Sequence, residues 1–260
     1  MRAIPTRWSE RRPFAESSRF RASGRASTTF DDTSSAKPPM TAIARLTQTW
    51  LRTSGPVLRG HIARAVYGAK NVRFGRNFRC DGVPRCLVDA EAELVIEDDV
   101  EFRSGVEIRA HGKGRVIIER GARIDRGVRI LAANAAEVCI GAGARIGLYS
   151  VLNGGDSIRV GRSALVSGFV YLQTSMHRFS QAGVPIRDQG YDHAPVGIGE
   201  GAWLAAHVVV MPGLNVGAGA IVGSNAVVTR DVSANEVVAG VPAKPIHVSV
   251  GMHTTAEGTV

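Results

Sequence analysis

His177 sits inside VYLQTSMHRFSQAGVPIRDQGYDHAPVGIG, residues 170–199, in a chain that otherwise keeps returning to short phrases such as VGAGAIVGSNAVV. An imidazole titrates near neutral pH, which suits it to take a proton from a hydroxyl as a general base. On an isolated polar loop the same side chain would be an ordinary surface residue, so its meaning depends on its setting. His193 shares the stretch, and His111 and His207 lie in the flanking repeats. A histidine-rich zinc site needs three convergent ligands. These four histidines lack the paired spacing of such a site, and no metal is expected. Cys80, Cys86 and Cys139 form neither a CxxC pair nor a disulfide framework, and they fit a reducing, cytoplasmic setting.

The elements that must hold His177 are written as a period of six. From residue 198 the chain divides into IGEGAW, LAAHVV, VMPGLN, VGAGAI, VGSNAV and VTRDVS, with aliphatic residues at 198, 204, 210, 216, 222 and 228. Neither a helix nor a long alternating strand has this period, whereas short strands joined by sharp turns do. Three hexads make an eighteen-residue coil whose inward residues stack on those of the next coil. Each coil then buries its neighbour's apolar surface and pairs its strand edges.

The opening phrase of the coil recurs at 74–75, 96–97, 118–119, 140–141, 160–161, 198–199 and 216–217, at intervals of 22, 22, 22, 20, 38 and 18 residues. The early excess is expected in small corner loops at GVPR (82–85), GKG (112–114), ANAAE (133–137) and GGD (154–156). The interval of 38 carries about twenty extra residues, and these are the stretch around His177, expected as an inserted loop over 173–194. A loop hung from a rigid scaffold is a common seat of binding residues. Within it, Gly183 to Ile186 is expected to make a turn fixed by Pro185, with Ile186 packing back on the scaffold. The open end of the first coil needs cover, and Ile43, Leu46, Trp50 and Leu51 are spaced as the apolar face of a capping helix. Residues 40–68 are therefore expected as a helical cap.

The chain has 260 residues, 44% of them hydrophobic, and no run of eighteen apolar residues that would indicate a transmembrane span. Its formal charge of +9 brings nucleic acid or an acidic lipid surface into consideration. Residues 1–50 hold nine Lys or Arg against four Asp or Glu, in a Ser-, Thr- and Pro-rich context without periodicity. Residues 1–39 are expected to be a disordered basic arm, able to give peripheral association, and 249–260 a flexible tail. The arm has too few aromatics among its charges for nucleic-acid recognition.

The loop TSMHRFSQAGVPIRDQG, followed in order by PVGIGEGAWLAAHVVVMPGLNVGAGAIVGSNAVVTRDV and VVAGVPAKPI, resembles the hexapeptide-repeat acyltransferases, and most closely the maltose, galactoside and polysaccharide-pathway O-acetyltransferases. The resemblance implies an all-β solenoid, a left-handed parallel β-helix over residues 69–248 behind the helical cap. It also implies a homotrimer with active sites between subunits, acetyl-CoA as donor and a hydroxyl of a sugar or glycan precursor as acceptor. The motif places the catalytic base at His177, with direct transfer and no covalent acyl-enzyme.

Further residues take their roles from the same resemblance. Asn153, in YSVLNGG, matches a substrate-contacting asparagine, although beside Gly154 and Gly155 it would also suit a turn. Tyr149 is placed in the same acceptor groove. Trp203 with Ala205 and Ala206 matches the wall of the slot for the pantetheine arm of CoA. Gly223, Ser224, Thr229, Arg230 and Lys244 match further CoA contacts, with Arg230 in place of the usual lysine and His247 where relatives have an additional arginine. Two alternatives stand beside this reading: a catalytically silent scaffold of the same fold, and a metal-dependent enzyme like the β-helical carbonic anhydrases.

Overall fold

The computed structural model describes residues 41–246; the arm expected at 1–39, His247 and the tail expected at 249–260 lie outside the described residues. The hexad register is realised residue for residue. Phe74 pairs with Ile96, Ile96 with Ile118, Ile118 with Ile140, Ile140 with Val160, Val160 with Ile198 and Ile198 with Val216, always in parallel. This ladder belongs to the first of three stacked sheets, called A, B and C, with seven, nine and seven strands among the described residues. The chain visits them in rotation, beginning with Val72–Phe74 in A, Arg79–Cys80 in B and Arg85–Val88 in C. About seven such turns make a parallel β-solenoid, and its last strand, Lys244–Pro245, returns antiparallel against Val237–Ala239.

Inward positions are aliphatic and fully buried, as at Ile124, Ile146 and Leu204 in sheet B or Ile108, Ile130 and Leu152 in sheet C. Burying one such side chain stabilises by about 1.5–3 kcal/mol. Outward positions carry ion pairs between coils. Arg115 bridges Glu93 (2.9 Å) and Glu137 (2.8 Å), and Arg73 reaches Glu93 at 2.8 Å. Exposed pairs of this kind contribute about 0–1 kcal/mol each, so the core carries the fold.

All the extra residues of the long coils enter at one corner. Six residues separate buried Cys80 in B from Cys86 in C, and Phe102 from Ile108, whereas ten separate Cys86 from Ile96, Ile108 from Ile118 and Ile130 from Ile140. The excess therefore lies between sheets C and A, where the loops expected at 112–114, 133–137 and 154–156 are found. The loop expected at 82–85 is a correction. Those residues make an ordinary six-residue corner despite their Gly and Pro, and the first coil's excess falls at 89–92, between Val88 and Glu93. The large insertion leaves from the same corner, between Tyr171–Gln173 in C and Val196–Ile198 in A.

Among the described residues two helices precede the coils, α1 (Ala42–Arg52) and α2 (Ser54–Tyr67). Thr41 caps α1, its hydroxyl oxygen accepting from the Ala44 amide at 3.2 Å. The capping face is not the one expected from Ile43, Leu46, Trp50 and Leu51, which are all exposed. Instead α2 lies on the first coil through Gly60 and Ala63, both buried, while Gly55 is covered by Trp50 of α1. Small residues win because the approach is close: a Cβ on Gly60 would collide with the Phe78 carbonyl oxygen. Beneath it Phe78 packs between Phe74 and Phe102, with ring centroids 5.1 Å apart in both pairs.

Burial pushes the thiols of Cys80 and Cys139 up to about 11 and that of Cys86 up to about 12. All three are free and buried. A thiolate-directed reagent at about pH 8 is expected to leave them unmodified in the native protein and to label all three after denaturation. Rapid modification of the native protein would contradict this packing.

Candidate active site

The inserted stretch is a hairpin that stands off the C–A corner. Ser175–His177 pairs antiparallel with Tyr191–His193, placing His177 opposite Tyr191 and Ser175 opposite His193. Its base is tied to the coil: the Thr174 hydroxyl donates to the Asn153 carbonyl at 2.7 Å, and the Ala194 amide donates to the Thr174 carbonyl at 3.0 Å. Arg178 donates to Asp192 across the two strands at 2.7 Å. The tip is closed by Gln189, which is buried. Its amide nitrogen donates to the carbonyls of Gln181 (3.1 Å) and Val184 (2.8 Å), and its oxygen accepts from the Gln181 amide (3.0 Å). Gly183 has φ +77° and Pro185 leads into a short 3-10 turn, Ile186–Asp188, as the sequence suggested. Ile186 is exposed, so it does not pack back on the coils; Gln189 holds the loop together.

His177 ends its strand with an exposed imidazole whose ring centroid is 4.1 Å from that of Tyr191. His193 has a different task. Its Nδ1 shares a hydrogen bond of 2.9 Å with the Ser175 hydroxyl, above Gly155, where a Cβ would strike both side chains.

Next to the base of the hairpin, the outer face of sheet C forms a groove of about 510 Å³. Asn153 lies in a strand, Val151–Gly154, between Leu131 and Gln173, and not in a turn. Its Nδ2 donates to the Tyr171 hydroxyl at 3.0 Å. Further along, Glu107 accepts from Arg109 (2.7 Å) and Arg129 (3.2 Å). Burial pushes the Glu107 carboxyl up, but these two guanidiniums more than offset it and hold it below its ordinary value. His111 closes the far end, 3.6 Å from Asp89.

Tyr149 is not part of this groove. It occupies the corner between sheets B and C, with φ +54°, in a column with Phe169 and His207, each also at positive φ. Ring centroids are 5.6 Å apart for Tyr149 and Phe169 and 4.8 Å apart for Phe169 and His207. Earlier coils have Gly105 and Gly127 at this corner, so the three aromatic residues hold a conformation that costs non-glycine residues energy. The aromatic partner of Asn153 is Tyr171, which sequence reasoning missed. The signal that could have found it is register, since Tyr171 pairs with Val151 in the next coil, two residues from Asn153.

The residues matched to the donor lie on sheet B and at the two corners that flank the last sheet C strands. Trp203 is on the outer face of sheet B, half-exposed, between Leu165 and Ile221, and its indole N–H donates to the Ser167 hydroxyl at 3.2 Å. Ala205 is buried and Ala206 half-buried where B turns into C, and Gly223 and Ser224 follow at the same corner one coil later. Lys244 pairs with Ala239 at the edge of sheet B, exposed. Thr229 and Arg230 lie beyond Val227–Val228, at the C–A corner that also carries the hairpin. Arg230 donates to Glu236 (2.8 Å) and to the Asp231 carbonyl (2.7 Å). The hydrogen bond from Arg230 holds the Glu236 carboxyl below its ordinary value. Among the described residues, no three His, Cys, Asp or Glu side chains come together as a metal site.

No protein-family model matches the chain. It is 34% identical over 101 residues to "Probable acetyltransferase Rv3034c" of Mycobacterium tuberculosis (strain ATCC 25618 / H37Rv), a match covering 39% of this chain and 34% of that protein. It is 31% identical over 91 residues to the galactoside O-acetyltransferase of Escherichia coli (strain K12), covering 35% of this chain and 43% of that protein. The chain thus matches less than half the length of either relative. Among solved structures, the polySia specific acetyltransferase NeuO superposes with a TM-score of 0.53 at 22% identity, over 73% of this chain and 93% of the other. The likeness read from the loop and the hexads therefore holds at both levels: over about a third of its length the chain is a sequence relative of acetyltransferases, and it shares its fold with a solved one.

Proposed function

We propose that the protein is an O-acetyltransferase that moves an acetyl group from acetyl-CoA to a hydroxyl of a sugar or glycan precursor. The observation that carries this is the placement of His177, an exposed imidazole on a braced hairpin at the corner beside the Asn153 groove. In this reading the acceptor lies along sheet C, held by Asn153 with Tyr171 behind it, and Tyr149 bounds the acceptor surface from the neighbouring corner. The imidazole takes the hydroxyl proton as the oxygen attacks the thioester carbonyl. The tetrahedral intermediate collapses, the carbon–sulfur bond breaks, and the imidazolium returns its proton to the CoA thiolate.

Donor binding falls to the last coils. Trp203 with Ala205 and Ala206 forms the pantetheine wall, Gly223 and Ser224 offer close backbone approach, and Thr229, Arg230 and Lys244 meet the phosphates. Because these residues occupy two corners, one CoA bridges them most readily along a groove between two copies of the chain. The apolar outer stripe of Leu165 and Trp203, both exposed, supports a homotrimer with its sites between subunits. On this reading residues 69–248 are the acyltransferase domain and 40–68 its cap, working in the cytoplasm. The galactoside O-acetyltransferase and the polySia specific acetyltransferase, which resemble the chain in sequence or fold, point to a carbohydrate acceptor.

Calorimetry with acetyl-CoA tests the donor half. About one site per chain is expected, weakened at least about tenfold in the Trp203→Ala/Arg230→Ala variant by loss of an aromatic wall and a charge-assisted contact. A folded protein that binds no acetyl-CoA would overturn the assignment. With binding established, a panel of sugar and non-sugar alcohols identifies the acceptor.

A further inference from the structure

The face of α1 that the sequence assigned to the cap is left largely exposed among the described residues. Ile43, Leu46 and Trp50 follow one another at helical spacing on one side of α1, and Arg45 and Gln48 lie on the other. Ile43 is 76% and Leu46 71% exposed. On α2, Leu58, Ile62 and Val66 form a second exposed stripe, and the buried Gly60 and Ala63 turn the other way, onto the first coil. Trp50 joins the two helices, lying 5.9 Å beneath the guanidinium of Arg59.

Charge narrows the choice of occupant. Between Thr41 and Tyr67 the two helices carry Arg45, Arg52, Arg59 and Arg64 and no Asp or Glu. A second copy docking through the same two helices would set their arginines against one another with no carboxylate between them. An anionic bilayer offers both an apolar layer for the leucine, isoleucine and tryptophan side chains and opposite charge for the arginines around them. None of the described helices is long and apolar enough to cross a membrane. A helix of 11 residues is about 16 Å long, which suits it to lie in the plane of the interface. We propose that α1 and the outer face of α2 form an amphipathic surface that docks the protein on anionic lipid headgroups. This surface lies at the opposite end of the coils from Arg230 and Lys244, and the proposal stands whether or not the acetyltransferase reading does.

Flotation of the full chain with vesicles tests it. The protein is expected to float with phosphatidylglycerol–phosphatidylcholine vesicles, less so as salt is raised, and to stay behind with pure phosphatidylcholine. Leu46→Glu/Trp50→Glu is expected to weaken flotation by more than about tenfold, with unchanged cooperative unfolding and oligomeric mass. Ile43→Ser/Leu46→Ser gives the same direction by a milder change, should the first variant misfold. Failure of the wild-type chain to float, or flotation of both folded variants at wild-type strength, would overturn the proposal. Variants that keep their fold but lose oligomeric mass would assign the face to a second copy instead, and overturn it equally.

Discussion

His177→Ala is expected to lower acetyl transfer by about 10²- to 10⁴-fold, the range that a positioned general base supplies. Acetyl-CoA affinity and the unfolding midpoint are expected to stay at wild-type values. The separation follows from placement. The imidazole is exposed at the end of a hairpin strand, and its tilted contact with the Tyr191 ring is the packing the substitution removes, so the coils lose no buried surface. His193→Ala is the informative comparison. It breaks the 2.9 Å contact with Ser175 at the hairpin base, which positions the strand that carries His177. A smaller loss of turnover is expected, with Ser175→Ala, which removes the other half of the contact, producing a loss of similar size. If His193→Ala abolished transfer while His177→Ala left it intact, the base would be His193 and the proposed chemistry would have to be rebuilt around it.

What the sequence made legible was periodic. The positions that open each coil are the ones that pair between coils, because inward aliphatic stacking leaves few other registers for a strand of two to four residues. Side-chain period two means that any slip would turn Ile96 or Ile118 outward. Features that depend on depth were less legible. Both GVPR at 82–85 and the segment at 89–92 look like turns, and only the buried pairs Cys80 to Cys86 and Cys86 to Ile96 show which corner is enlarged. Within the cap expected over 40–68 the apolar face of α1 was read as the contact, yet close packing on the end of a narrow coil favours the small residues of α2. In the site, His177 was marked by the break in repeat. Asn153 and Tyr149 sit apart for a reason of geometry: four residues along the chain lead from the B–C corner well into sheet C, whereas Tyr171, eighteen residues away, is across one strand gap.

The same dependence on depth separates two phenylalanines. Phe102 is fully buried in sheet B, paired with Cys80 and Ile124 and packed edge-on against Phe78. Phe179 is 74% exposed on the inserted loop. Phe102→Ala is expected to destabilise the protein by about 3–5 kcal/mol, through lost burial and the cavity that a stiff ring of parallel strands cannot collapse to fill. Phe179→Ala is expected to cost less than about 0.5 kcal/mol, as for other surface substitutions. Chemical denaturation of the full chain checks both. In a solenoid each coil touches only its neighbours, so the Phe102 cavity acts first on the early coils and on α2, whose Gly60 rests on Phe78. Hydrogen exchange in the variant is therefore expected to rise over residues 54–102 before it rises around Leu204 or Val222. Uniform loss of protection along the chain would instead mean that the coils unfold as one cooperative block, with the helix-capped end no weaker than the rest.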